Sequence, residues 1–126
     1  MIAEGLLYTK DHEWAKIEGQ TATIGITDYA QEMLGEITFV ELPAVGKQLR
    51  SHDELGVVES SKSASDIYSP VTGIVTEVNS QLQSCPELIN DACYGEGWIC
   101  KLKITDAKSV EGLMNTQQYK EYLKGL

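Results

Sequence analysis

The sequence is poor in the residues that staple, anchor or charge a chain toward polyanions. Its 126 residues include three cysteines, Cys85, Cys93 and Cys100, and two histidines, His12 and His52. An odd cysteine count with no Cys-x-x-Cys pair argues against a disulfide framework, and such scattered ligands make a closed zinc site a weak proposal. The reading is reduced thiols in a cytosolic-type compartment, with Cys100 on the apolar side of a strand. Three prolines and 11 glycines are too few for a collagen-like or low-complexity chain. Lysine and arginine number 10 against 19 acids, a net charge of −9. That sign repels phosphate backbones and anionic bilayers, so neither nucleic acid nor membrane is expected as a partner. No apolar run approaches the roughly 18 residues needed to span a bilayer. The N-terminus, Met1 to Gly5, shows neither the basic-then-apolar order of a secretory signal nor an Arg-rich, acid-poor transit segment. A cytoplasmic location is expected, or the mitochondrial matrix if a transit peptide was removed.

What remains is an ordinary globular composition, 42% apolar and 23% charged, at a length suited to one domain over residues 1–126. Such a chain buries roughly two-thirds of its unfolded surface and needs no metal to hold a core. The dominant period is two. Trp98, Cys100, Leu102 and Ile104 fall on one face of the run 98–104, with Lys101 and Lys103 on the other. Runs 21–26, 37–42, 55–59 and 74–78 read likewise as short strands. Turn signals at 18–20, 43–46, 69–70 and 72–73 separate them, so the expected fold is mainly β, a barrel or sandwich. Helical insertions interrupt it. Residues 28–35 have Asp28 as an N-cap candidate, Gln31 three residues on and Gly35 just past the end. A short helical turn is expected around Pro86–Asn90. From about 106 to 126 a helical extension follows. Thr116 is its cap candidate, and Tyr119, Tyr122, Leu123 and Leu126 form a stripe that docks on the β core.

The informative stretch is 55–73. Two β-prone runs, 55–59 and 66–71, flank Ser60-Ser61-Lys62-Ser63-Ala64-Ser65, which places one lysine among small residues at a hairpin tip. Taken alone, Lys62 reads as a solvated charge at a turn. Lysine is protonated at neutral pH unless desolvated, so an exposed turn lysine is a poor catalyst unaided. If it has a role, an external enzyme acylates it, and the amide makes the flexible stem the root of a swinging arm.

The segment Glu59-Ser60-Ser61-Lys62-Ser63-Ala64-Ser65-Asp66, with Tyr68-Ser69-Pro70 and Gly73, resembles the lipoylation site of the glycine cleavage system H proteins. Tyr8-Thr9-Lys10-Asp11-His12-Glu13-Trp14, Gly25–Gln31, Phe39–Pro43, Pro86–Asn90 and Tyr94–Trp98 resemble that family's segments in the same order, over roughly residues 6–123. The resemblance implies a barrel-sandwich hybrid with short peripheral helices and a C-terminal helix. It implies lipoate as a covalent amide on Lys62, Gly46 and Gly73 as turn glycines, and Glu59 as a recognition residue for lipoylation. Glu13 and Asp66 match positions that approach the loaded arm in a surface cleft. The implied protein is a monomeric carrier, not an enzyme. It would take an aminomethyl group from glycine decarboxylase, a pyridoxal-phosphate enzyme, to aminomethyltransferase. Dihydrolipoyl dehydrogenase would reoxidise it, and a lipoate ligase or lipoyltransferase would load it.

Ser61 and Ser63 stand where the family often has Val and Ala, and Met33 stands where some members have a polar cleft residue. The competing readings are an H-like protein relaying lipoyl groups to other acceptors, an enzyme with a cysteine nucleophile and His12 or His52, and an unmodified binding module. A biotinyl domain would flank its lysine with methionines, and a 2-oxoacid dehydrogenase lipoyl domain would show Asp-Lys-Ala.

Overall fold

Strands that alternate apolar and polar residues must bury one face each, and this chain does so by closing two antiparallel sheets on one core. The computed structural model describes residues 2–126. In chain order the first elements are β1 (Leu7–Tyr8), β2 (Glu13–Glu18), β3 (Thr21–Ile26), α1 (Asp28–Leu34), β4 (Ile37–Glu41) and β5 (Gln48–Leu49). The hairpin β6 (Glu54–Ser60) and β7 (Ala64–Tyr68) follows, then β8 (Thr72–Val78), α2 (Gln81–Ser84) and α3 (Leu88–Asp91). The chain ends with β9 (Cys100–Asp106), α4 (Lys108–Glu111) and α5 (Thr116–Lys124). One sheet has six strands in the order β1-β2-β3-β9-β8-β5, and the other has three, β4-β6-β7. Ile24, Val75, Cys100 and Leu102 of the first meet Val40, Leu55, Val58 and Ile67 of the second in a single apolar cluster. The mainly β two-sheet fold with short peripheral helices and a C-terminal helix is therefore as expected.

Several boundaries differ. β7 begins at Ala64 rather than 66 and ends at Tyr68, because pairing of Glu59 with Ala64 and of Val58 with Ser65 overrides the weak strand preference of Ser and Ala. Trp98 lies outside β9, with the Lys101 ammonium 5.3 Å from its ring centre. β2 escapes a period-two reading because Glu13, Trp14 and Ala15 are all buried in succession. Both helix caps stand one residue upstream of the expected ones. Thr27 caps α1 by accepting from Ala30 N–H, and Asn115 caps α5 in a reciprocal pair with Gln118. Leu126 is past the end of α5 and exposed, so it leaves the docking stripe. Gly46 has φ 93° and turns the chain, but Gly73 is no turn glycine. It lies inside β8, where a β-carbon would stand 2.3 Å from the Lys103 carbonyl oxygen, so close strand approach is what requires it.

A second cluster fastens α5. Tyr119 stacks on Tyr8 with ring centres 4.5 Å apart and planes 4° from parallel, beside Leu6 and Trp14. The Tyr119 hydroxyl shares hydrogen bonds with His12 Nδ1 (2.8 Å) and Thr27 Oγ1 (2.9 Å), tying the C-terminal helix to the β1–β2 turn and the α1 cap. Tyr119→Phe keeps the stack and removes one partner each from half-buried His12 Nδ1 and from buried Thr27 Oγ1, which still accepts from Ala30 N–H. Thermal melts are expected to show a loss of about 1–3 kcal/mol, roughly 4–10 °C in Tm, with an unchanged far-UV spectrum. An unshifted Tm would mean that the hydroxyl contributes nothing.

Candidate functional site

Ladder pairing of β6 with β7 runs from Glu54 opposite Tyr68 to Glu59 opposite Ala64, leaving Ser61-Lys62-Ser63 as the apex. The Ser60 N–H donates to the Ser63 carbonyl at 2.8 Å and closes the turn. The Ser60 hydroxyl accepts from the N–H groups of Lys62 (3.2 Å) and Ser63 (3.1 Å) and donates to the Ser63 carbonyl (3.2 Å). The apex is thus ordered by backbone and one serine, a local side-chain turn of the kind serine favours. The side chain at 62 is left over. Lys62 is exposed, and among the described residues the ion pairs use Lys101, Lys120 and Lys124 instead.

Beside the hairpin lies a hollow of about 430 Å³, walled by Tyr29 and Met33 of α1, Asp11 and His12 of the β1–β2 turn, and Ser65 and Ile67 of β7. Its walls set the apolar side chains of Ile26, Met33, Leu34 and Ile67 beside Asp11, His12 and two serines. Burial holds His12 below the usual histidine pKa, and its ring lies 4.4 Å from that of Tyr29. An exposed, unpaired amine next to a hollow with one apolar side, at Met33, Leu34 and Ile67, fits a long, uncharged acyl chain better than it fits a catalytic lysine. A hollow of similar size, about 420 Å³, at the β5–β8 edge contains Arg50 and Asp53 but no residue of the hairpin apex.

The structure places two expected cleft residues elsewhere. Glu13 is 1% exposed and does not line the hollow. Its carboxyl takes a hydrogen bond from the Thr9 hydroxyl (2.6 Å) and another from Tyr68 N–H (3.2 Å), so it ties β2 to β7 from behind the wall. Burial, opposed by those two bonds, pushes its pKa up to about 7. Asp66 points to the outer face of β7, because Ser65 and Ile67 take the inner one. There it lies in hydrogen-bonding reach of Glu54, which raises the Glu54 pKa. Glu59 is exposed on the same outer face, between Phe39 and Ala64. Asp11, His12 and Ser60 are site residues that the reading above did not place here, His12 having entered only as a partner for a cysteine nucleophile. The first two lie in the quoted Tyr8–Trp14 segment, and a serine two residues before a turn lysine was a readable signal.

Cys93 and Cys100 are not placed as nucleophiles. Burial pushes Cys93 up to about 11 and Cys100 up to about 12, the reverse of what a reactive thiolate requires. Among the described residues no group of three His, Cys, Asp or Glu side chains could hold a metal ion. No helix among them is long and apolar enough to cross a membrane.

A small two-sheet fold that presents an exposed, unpaired lysine on a hairpin apex, beside a hollow, has the layout of a carrier for a lysine-bound prosthetic group. Comparison with known proteins narrows the class. The family model described as glycine cleavage H-protein matches residues 6–126. A glycine cleavage system H protein of Coprothermobacter proteolyticus is 49% identical over 123 residues, 97% of each chain. One from Beijerinckia indica is 51% identical, covering 94% of this chain and 96% of its own. The crystal structure of a glycine cleavage system H protein from Mycobacterium marinum superposes with TM-score 0.89 at 35% identity, over 99% of this chain and all of that one. The chain belongs to the glycine cleavage H-protein family, lipoyl carriers that bear lipoate covalently on a lysine and are not themselves enzymes.

The buried acid gives this site a pH signature. The folded chain keeps the Glu13 proton up to a pKa of about 7, whereas the ordinary value is 4.5. Between those values the folded state binds more protons than the unfolded one, so this group removes stability as pH rises, up to roughly 3 kcal/mol. Glu13→Gln keeps the Tyr68 bond through Oε1, sets Nε2 against a Thr9 hydroxyl oxygen that already accepts from the N–H groups of Asp11 and residue 13, and does not titrate. Denaturant unfolding of both proteins at about pH 5 and about pH 7.5 is expected to show the variant gaining on the parent by roughly 2–3 kcal/mol at the higher pH. An equal pH dependence in the two would remove Glu13 as a cause.

Proposed function

We propose that Lys62 is the lipoyl-bearing residue and that the chain shuttles between the enzymes of glycine cleavage on that arm. The observation that carries this reading is an exposed amine without an ion pair, on an apex ordered wholly by its neighbours. When bound, the lipoyl group supplies a disulfide that accepts a group and two electrons together. The chain's residues do the rest. β6 and β7 fix the root of the arm, and Tyr29, Met33 and Ile67 offer it an apolar wall that excludes water. The tether raises local concentration at each docked enzyme, whereas a free cofactor would depend on encounter.

The partners in this reading are glycine decarboxylase, aminomethyltransferase and dihydrolipoyl dehydrogenase, with a lipoate ligase or lipoyltransferase loading the arm. The net charge of −9 favours basic docking patches on them. In this reading the loading enzyme recognises Glu59, exposed three residues before Lys62, so Glu59→Gln should raise its KM and leave the fold intact. The chain acts as a cytoplasmic monomer in this reading, in line with its bacterial relatives and its unpaired cysteines.

The test is direct. Incubation with lipoate ligase, ATP and lipoate, followed by peptide mapping, is expected to place one lipoyl group on Lys62. The product should support glycine-dependent exchange of labelled CO₂ by glycine decarboxylase. Lys62→Arg keeps charge and fold and should lose the adduct and at least about 100-fold of the exchange. An adduct at another lysine, or exchange undiminished in Lys62→Arg, would end the proposal.

A further inference from the structure

The stem of Lys62 does not stand clear of the fold. A β-carbon built on Gly35 would lie 2.8 Å from Lys62 Cε and 3.3 Å from Nζ, so the bare α-carbon at 35 lies against the arm's root. Gly35 also ends α1 at φ 85° and ψ −153°, a backbone conformation that side chains other than hydrogen resist. Sterics and backbone geometry therefore reserve the same position for glycine.

Asn90, on α3, holds that position in place. Its Nδ2 donates to the Gly35 carbonyl (2.9 Å) and to Gln31 Oε1 (2.8 Å), and its Oδ1 accepts from Ile37 N–H (2.9 Å). Gly35 N–H in turn donates to the Gln31 carbonyl at 2.9 Å. Ile37 pairs with Ser60, the residue that orders the apex. Segment 35–37 and the hairpin apex thus share one frame, with Asn90 as the clamp. On one side of this frame lies the hollow, with Met33 on its rim. On the other lies the outer face of the β4-β6-β7 sheet, with Phe39 and Glu59.

We propose that Gly35, clamped by Asn90, is a positioning element for the lysine arm, seating its stem at the end of α1 and sending the arm to the hollow side of the hairpin. Neither residue touches what the arm carries. They act by setting where the arm starts and which half of space it samples. The proposal rests on the reading of Lys62 as the carrier residue.

The test uses the lipoylated full chain with ¹³C-labelled lysine and with Cys85→Ser to clear the half-buried thiol. A nitroxide is placed at Met33→Cys on the hollow side in one protein and at Phe39→Cys on the outer face in another. Paramagnetic broadening of the Lys62 ε-methylene and of the lipoyl chain is then compared. The label at 33 is expected to broaden the arm at least about fivefold more strongly than the label at 39, since the seat biases the arm's population. Asn90→Ala, which releases the seat, and Gly35→Ala, which fills it, should each bring the ratio toward one. A purely structural part for these residues would lower Tm and leave the ratio alone, and that result overturns the proposal. A ratio near one in the parent overturns it without any variant, so a variant that fails to fold leaves the question decidable. Failure of the carrier reading would appear separately, as no lipoyl group at Lys62 by mass. The ε-methylene of unmodified Lys62 still reports on the seat in that case.

Discussion

Everything at this site depends on β6 being the middle strand of its sheet. It pairs with β4 on one side, up to Ile37 opposite Ser60, and with β7 on the other, up to Glu59 opposite Ala64. Both ladders stop at the same height, so the apex is braced from two directions while the three residues beyond it face solvent. The brace is held by the core. Leu55, Val58 and Ile67 are nearly wholly buried, and each such side chain is worth about 1.5–3 kcal/mol of transfer free energy. Fraying the apex would lift those residues from the core, which is why an exposed turn can hold a lysine at a fixed address. A carrier needs both properties at once, a fixed root and an unspent side chain. The Ser60 hydroxyl reconciles them by meeting the backbone's hydrogen-bonding needs so that Lys62 has none to meet.

The fold was legible wherever alternation was regular. β3, β8 and β9 show their apolar faces in sequence, and the lysine among serines and alanines marks the hairpin. β2 was not legible, because an acid, a tryptophan and an alanine are buried in a row and Glu13 is buried by tertiary hydrogen bonds from Thr9 and Tyr68. No pattern within 13–18 encodes those partners. The helix caps failed for a narrower reason. Thr27-Asp28 and Asn115-Thr116 each offer two adjacent capping oxygens, and only the backbone angle decides which residue stays extended. Gly73 is instructive in the opposite way. The sequence reading that marked it as special had the residue right and the cause wrong, since the close approach of Lys103 exists only once β8 and β9 are paired.

The two faces of the hairpin divide the acids from the apolar groups. Ser65 and Ile67 turn toward the hollow, while Glu54, Glu59 and Asp66 turn outward. The outer row crosses the sheet, with Glu41, Val57 and Asp66 aligned. Because side chains alternate with period two, a one-residue slip of β7 would send Asp66 into the apolar hollow and Ile67 to solvent. The burial of Ile67 therefore fixes the register that keeps the hairpin's acids on its outer, solvent face. It also keeps the hairpin's own acids off the hollow side, where Asp11 of the β1–β2 turn is the acid in the wall. This is also why Glu13 is tolerated behind that wall: at a pKa of about 7 its carboxyl need not carry a full charge there.

Period two settles the side of every strand residue and says nothing about Lys62, which stands where both faces end. At an apex a side chain can fall either way, so its direction must come from outside the hairpin. The end of α1 supplies it. Gly35 lies against the lysine stem because β4 pairs with β6, and its geometry is held by Asn90, which lies 55 residues away in sequence. The helix that walls the hollow thus also ends at the arm's root, and a single glycine joins the two. Sheltering and presentation are in this sense one structural problem. The hairpin fixes where the arm begins, and the helix end fixes which way it leaves.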